Sequence, residues 1–123
     1  RHLDEWVSAR RRLASLYDRL LVDAPVTRPV EVGRARHGYH LYVIRSPRRD
    51  ALQQHLRERG IGTSIHYPVP AHRQPAYHHL GYTEGQFPCA ERACREVLSL
   101  PLYPELTEDE LRYVATAVKT FNG

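Results

Sequence analysis

The sequence has no methionine, one tryptophan and a single lysine, Lys119; the other 17 of its 18 basic side chains are arginine. A chain without methionine carries no translation start, so it is expected to be a processed product or a piece of something longer. One lysine limits the chemistry open to the chain alone, because imine-forming catalysis needs a lysine in the site. No apolar run approaches the about 18 residues of a membrane span. The first residues, Arg1 to Trp6, are charged and aromatic, unlike a signal peptide. Cys89 and Cys94, five apart, would point about 140° away from each other on a helix and could not easily bridge. Without a CxxC motif they read as two buried or idle thiols of a reducing, cytoplasmic compartment. Net charge is +4, but the arginines are scattered among acids and never form a dense block interleaved with aromatics. That pattern argues against nucleic acid as a partner.

What is present is ordinary globular composition: 123 residues, 41% hydrophobic and 26% charged, the size of one domain. Leu3, Trp6, Val7, Leu13, Leu16, Tyr17, Leu20 and Leu21 recur at helical spacing and predict a helix over 2–22. Strands are predicted over 40–45, 61–67 and 98–103, the last at a sheet edge because of Pro101. Between the first two, Ser46 and Pro47 open a helix with Ala51, Leu52, His55, Leu56 and Arg59 inward, and Gly60 stops it. A helix over 88–97 turns Ala90, Ala93, Cys94 and Val97 inward. Thr107 and Glu110 form a capping box for a last helix whose stripe is Leu111, Val114, Ala115, Val118 and Phe121. The order α, β, α, β, α, β, α predicts an α+β fold, a small three-stranded, mainly antiparallel sheet packed with helices.

One stretch concentrates chemistry. His66, Tyr67, His72 and Gln74 follow a strand end, and Pro68 to Tyr82 holds three prolines and three histidines. Imidazole and phenol donate and accept hydrogen bonds near neutral pH. Tyr67, Val69 and Gln74 each precede a proline and are biased to extended backbone, so the groups are held stiffly. His2, His37, His40, His55, His78 and His79 read as surface or packing histidines. A zinc site from His66, His72, His78 and His79 would use normal ligands, but their spacing matches no zinc pattern.

The runs GIGTSIHYPVPAHRQPAYHHLGY and FPCAERACREVLSLPLYPELTEDE, with the Trp6, Arg10, Ala14, Tyr17, Leu20 spacing, resemble the C-terminal part of the DegT/DnrJ/EryC1/StrS aminotransferases. The resemblance runs from Leu3 to Phe121. It implies a fold-type-I enzyme dependent on pyridoxal 5'-phosphate, which moves an amino group from glutamate or glutamine to a nucleotide-linked keto sugar. The HYP form looks most like members acting on dTDP-linked 3-keto-6-deoxy sugars. The cofactor and its Schiff-base lysine would lie in a large domain absent here, and the parent would be a homodimer. Residues 1–123 would then be the small C-terminal domain alone, inactive by itself, with residues 1–22 the helix leading from the large domain. On this resemblance, His66 and Tyr67 hydrogen-bond the sugar, and His72 lines the same cleft near the sugar or diphosphate. The stripe from Leu3 to Leu21 is expected to leave an exposed apolar patch. The rival reading is a free-standing module that binds a nucleotide sugar or a partner without catalysis.

Overall fold

The structure, a computed structural model, describes residues 2–122; the two terminal positions of the domain expected over 1–123 lie outside the described residues. Helix α1 spans Leu3–Leu20, with Asp4 and Glu5 in its first turn and Arg19 in its last, charges that suit the helix dipole. Its C-terminal half carries the core face: Leu13, Ala14, Leu16 and Tyr17 are buried. The Tyr17 ring stacks on Tyr42 at 4.8 Å, and its hydroxyl donates to the Pro101 carbonyl at 2.9 Å. Leu3 and Trp6, at the other end of the helix, are 67% and 47% exposed, so of the stripe expected to be open from Leu3 to Leu21 only the N-terminal end is.

Strand β1 (Tyr42–Arg45) pairs antiparallel with β2 (Val97–Leu100), Tyr42 opposite Leu100 and Arg45 opposite Val97. Among the described residues two strands, not three, form the sheet. The expected middle strand over 61–67 pairs only through Ser64, whose backbone exchanges hydrogen bonds of 3.3 and 2.8 Å with Ser99. Both ends of that segment are diverted. The Ile61 N–H closes helix α2 (Arg49–Arg57) by donating to Leu56, beside a Gly60 N–H to Arg57 bond. This is a Schellman ending, with Gly60 at φ +72°. At the far end, Pro68 and Pro70 have no N–H to continue a ladder. β2 stops before Pro101 and lies at the edge of this two-stranded sheet, its outer side met by the isolated Ser64 bridge at Ser99.

Helix α2 begins at Arg49, two residues after Pro47, although Ser46 Oγ still accepts from the Arg48 N–H at 3.2 Å. Leu52 and Leu56 are buried, while Arg59 is exposed. Helix α3 (Pro88–Glu96) departs furthest from the expected pattern: Ala90 is exposed and its one buried residue is Glu91. Helix α4 (Glu108–Lys119) buries Leu111, Val114, Ala115 and Val118, and packs on α1 and α2. Together with Ile44, Leu98 and Phe121 these side chains form one core.

The α4 capping box is closed. Thr107 Oγ1 accepts from the Glu110 N–H at 3.2 Å, and the Glu110 carboxylate accepts from the Thr107 N–H at 2.9 Å. Replacing Thr107 by alanine removes the first bond and is expected to cost about 1 kcal/mol of unfolding free energy, read by chemical denaturation. Thr107→Ser should lose much less.

Candidate functional site

Beyond Ser64 the chain leaves the sheet, and Ile65, half-buried, is its last contact with the core. His66 is anchored rather than free: its Nδ1 shares a 2.9 Å hydrogen bond with Oγ of Ser99, itself buried in β2. This bond uses one ring nitrogen and leaves Nε2 for another partner. Tyr67 stands edge-on to the His66 ring at 5.6 Å and is 71% exposed. The pair therefore presents an imidazole held from behind and a phenol open to solvent.

After Tyr67 the chain runs through two short 3₁₀ helices, Ala71–Arg73 and Pro75–Leu80, and turns at Gly81 with φ +70°. Neither 3₁₀ helix has a buried residue in its own right. The His72 side chain is nonetheless covered, packing against Phe87 at 4.6 Å and edge-on to Tyr82 at 6.5 Å. Its Nε2 donates to Glu91 Oε1 at 3.0 Å. Glu91 also accepts the Gly85 N–H at 2.9 Å on each oxygen and the Phe87 N–H at 3.3 Å. The Gly85 amide is the first cause holding this carboxyl below the ordinary glutamate range; burial opposes it, and Phe87 and His72 reinforce it. An ionised carboxylate only accepts, so His72 carries its proton on Nε2.

The sequence candidates are thus brought into one segment but not into one cluster: His66 and Tyr67 face outward from Ser99, whereas His72 turns inward to Glu91. Glu91 and Ser99 are not among the sequence candidates. The signal for Glu91 was an acid in the first turn of a proline-initiated helix. Nothing in the local pattern marked Ser99 as a hydrogen-bond partner. Pro68, Val69, Pro70, Arg73, Glu84 and Arg95 border a pocket of about 250 Å³ over Glu91. Among the described residues no three His, Cys, Asp or Glu side chains gather at metal-binding distance. His78 and His79 are exposed, and His55 instead joins α2 to α4 through a 2.9 Å bond to the Ala117 carbonyl. No helix among the described residues is long and apolar enough to cross a membrane.

Residues 1–119 match the sequence model of the DegT/DnrJ/EryC1/StrS aminotransferase family. A Geobacillus stearothermophilus protein named pleiotropic regulatory protein is 48% identical over 98% of the chain, which spans 33% of that relative. The dTDP-3-amino-3,4,6-trideoxy-alpha-D-glucose transaminase of Streptomyces venezuelae is 42% identical over 96% of the chain, which spans 31% of it. The crystal structure of DesV from S. venezuelae, in complex with a ketimine intermediate, superposes with a TM-score of 0.93 at 42% identity, over 96% of this chain and 32% of that one. The chain thus spans about a third of the length of the curated relatives it matches.

Glu91 generates an acid dependence whose sign follows from its lowered pKa. Its contribution to stability is complete above the ordinary glutamate value of about 4.3 and is lost as pH falls through the lower folded value. Thermal denaturation of the wild type and Glu91→Gln from neutral pH down to about pH 3 checks this. The wild type should be the more stable at neutral pH, and the gap should close in acid. A gap independent of pH would contradict it.

Proposed function

The chain belongs to the DegT/DnrJ/EryC1/StrS aminotransferase family, and on that premise we propose that it is the small domain of a longer nucleotide-sugar aminotransferase. The parent would transfer an amino group from glutamate or glutamine to a keto-deoxy sugar carried on a nucleotide, dTDP being favoured by the name of the Streptomyces relative. It would act as a cytoplasmic homodimer.

The observation that carries the reading is the pairing of an anchored His66 with an exposed Tyr67 at the mouth of a proline-stiffened turn. A sugar ring offers hydroxyl and carbonyl oxygens, which call for neutral donors and acceptors at fixed positions. His66 Nε2 and the Tyr67 hydroxyl supply them. The Ser99 bond sets the orientation of the imidazole in advance, so little ordering cost remains at binding. His72 borders the same segment and holds its shape.

The amine chemistry itself is that of pyridoxal 5'-phosphate. The described residues of this chain do not fit that group: their one lysine, Lys119, is exposed in the last turn of α4, apart from the His66 segment. The cofactor would be held by the rest of the parent, and the role of this chain is to bind and orient the sugar. A second reading, a non-catalytic binding module, is favoured by the name of the Geobacillus relative.

The test uses the full-length protein loaded with pyridoxal 5'-phosphate. A visible absorption band that borohydride removes, together with turnover of a dTDP-linked keto sugar, is the expected result. Protein that takes up no cofactor would favour the binding module. Tyr67→Phe and His66→Ala should each lower kcat/KM for the sugar about tenfold or more, with the band unchanged. Unaltered sugar kinetics in both variants would overturn the assignment of these residues.

A further inference from the structure

From Arg73 to Ala90 no residue is buried, and the segment adds no strand to the sheet. Something other than a core must hold it, because an exposed loop of this length is otherwise free to move. Its two ends meet at one carboxylate. Glu91 takes the His72 imidazole from the start of the loop and the Gly85 and Phe87 amides from its end, four hydrogen bonds in all. Phe87 and Tyr82 pack on the His72 ring and shelter the junction. At 7% exposure the carboxylate is largely withdrawn from water, where charge-assisted bonds are strong and an unmet donor is costly.

Glu91 also shares a rigid support with Ser99. α3 runs directly into β2, so the residue that grips the loop and the residue that grips His66 lie on one continuous run. That run is tied to the rest of the fold by two arginines. Arg45 pairs with Glu96 at 2.7 Å, and Arg49 donates to the Cys94 and Val97 carbonyls at 3.2 Å each.

We propose that Glu91 is a positioning residue for sugar recognition: it closes residues 72–87 into a fixed hoop and thereby sets the stretch from His66 to His72 against the sugar. The inference rests on the reading of His66 and Tyr67 as sugar contacts, and adds a residue that never touches the substrate.

The experiment uses the full-length holoprotein and three readouts: hydrogen exchange of peptides covering 72–87, KM for the dTDP-linked keto sugar, and the half-reaction with glutamate followed by the cofactor spectrum. Glu91→Gln keeps the shape but sets an amide group against donors. It should speed exchange of the 72–87 peptides and raise the sugar KM about tenfold or more, while the glutamate half-reaction stays within about twofold. Glu91→Asp keeps the charge and should move both readouts the same way by a smaller factor; it carries the test if Glu91→Gln fails to fold. Unchanged exchange would overturn the inference. So would accelerated exchange with an unchanged KM while Tyr67→Phe raises KM; that pattern leaves the sugar assignment standing. If Tyr67→Phe and His66→Ala both leave KM unchanged, the sugar assignment itself falls and takes the role of Glu91 with it.

Discussion

β2 is four residues long, yet the backbone groups on both its edges are engaged. Val43 faces Ser99 on one side, and Ser64 exchanges two hydrogen bonds with the same residue on the other. The Ser99 hydroxyl then takes His66. One serine therefore ties the sheet, the chain that crosses beside it and the imidazole together. Because Leu98 and Leu100 on either side of it are buried, Ser99 cannot slide without moving the core. The position of His66 is thus set by the same packing that holds α1, α2 and α4 together.

Much of the frame was legible because it obeys local rules. The stripe of α4 and its capping box follow from spacing and from the Thr107, Glu110 pair alone, and the structure reproduces both. Gly60 reads as a stop and acts as one. The lost strand shows where local reading ends. Residues 61–67 have strand-like content, but the Ile61 N–H is already used by the end of α2, and only the folded arrangement reveals that competition. The same holds for α3. Helical spacing placed Ala90, Ala93, Cys94 and Val97 inward; Ala93, Cys94 and Val97 are half-buried, but Ala90 is exposed, and three donors from a loop folded over the helix draw Glu91 in beside them. Sequence patterning prices a buried acid as unfavourable unless its partners are known, and these partners come from residues four to nineteen positions away.

The candidate site divides in the same way. His66, Tyr67 and His72 stood out in the sequence because titratable groups and prolines crowd one stretch. Their division into an outward pair and an inward latch did not, because it depends on Ser99 and Glu91, two residues with unremarkable local context. α1 offers a parallel case. Its regular stripe continues through Leu3 and Trp6 although both stay largely exposed, so periodicity reports a face fit for burial rather than burial itself.

Several of the chain's charges are taken up within the fold rather than at the His66, Tyr67 pair. A site for a neutral ring is best served by dipoles, since a free charge nearby must be desolvated when the ligand seats. Glu91, the one buried acid among the described residues, has its carboxylate oxygens taken up by donors from its own loop. Arg11 is committed to Glu31 at 2.7 Å, and that pairing holds the Glu31 carboxyl down at about 2. Arg45 and Arg92 share Glu96. The Arg11–Glu31 and Arg45–Glu96 pairs each join separate segments of the fold. Where the chain leaves the sheet it holds a half-buried imidazole bonded to Ser99 beside an exposed phenol, side chains that can each bond a hydroxyl in either direction.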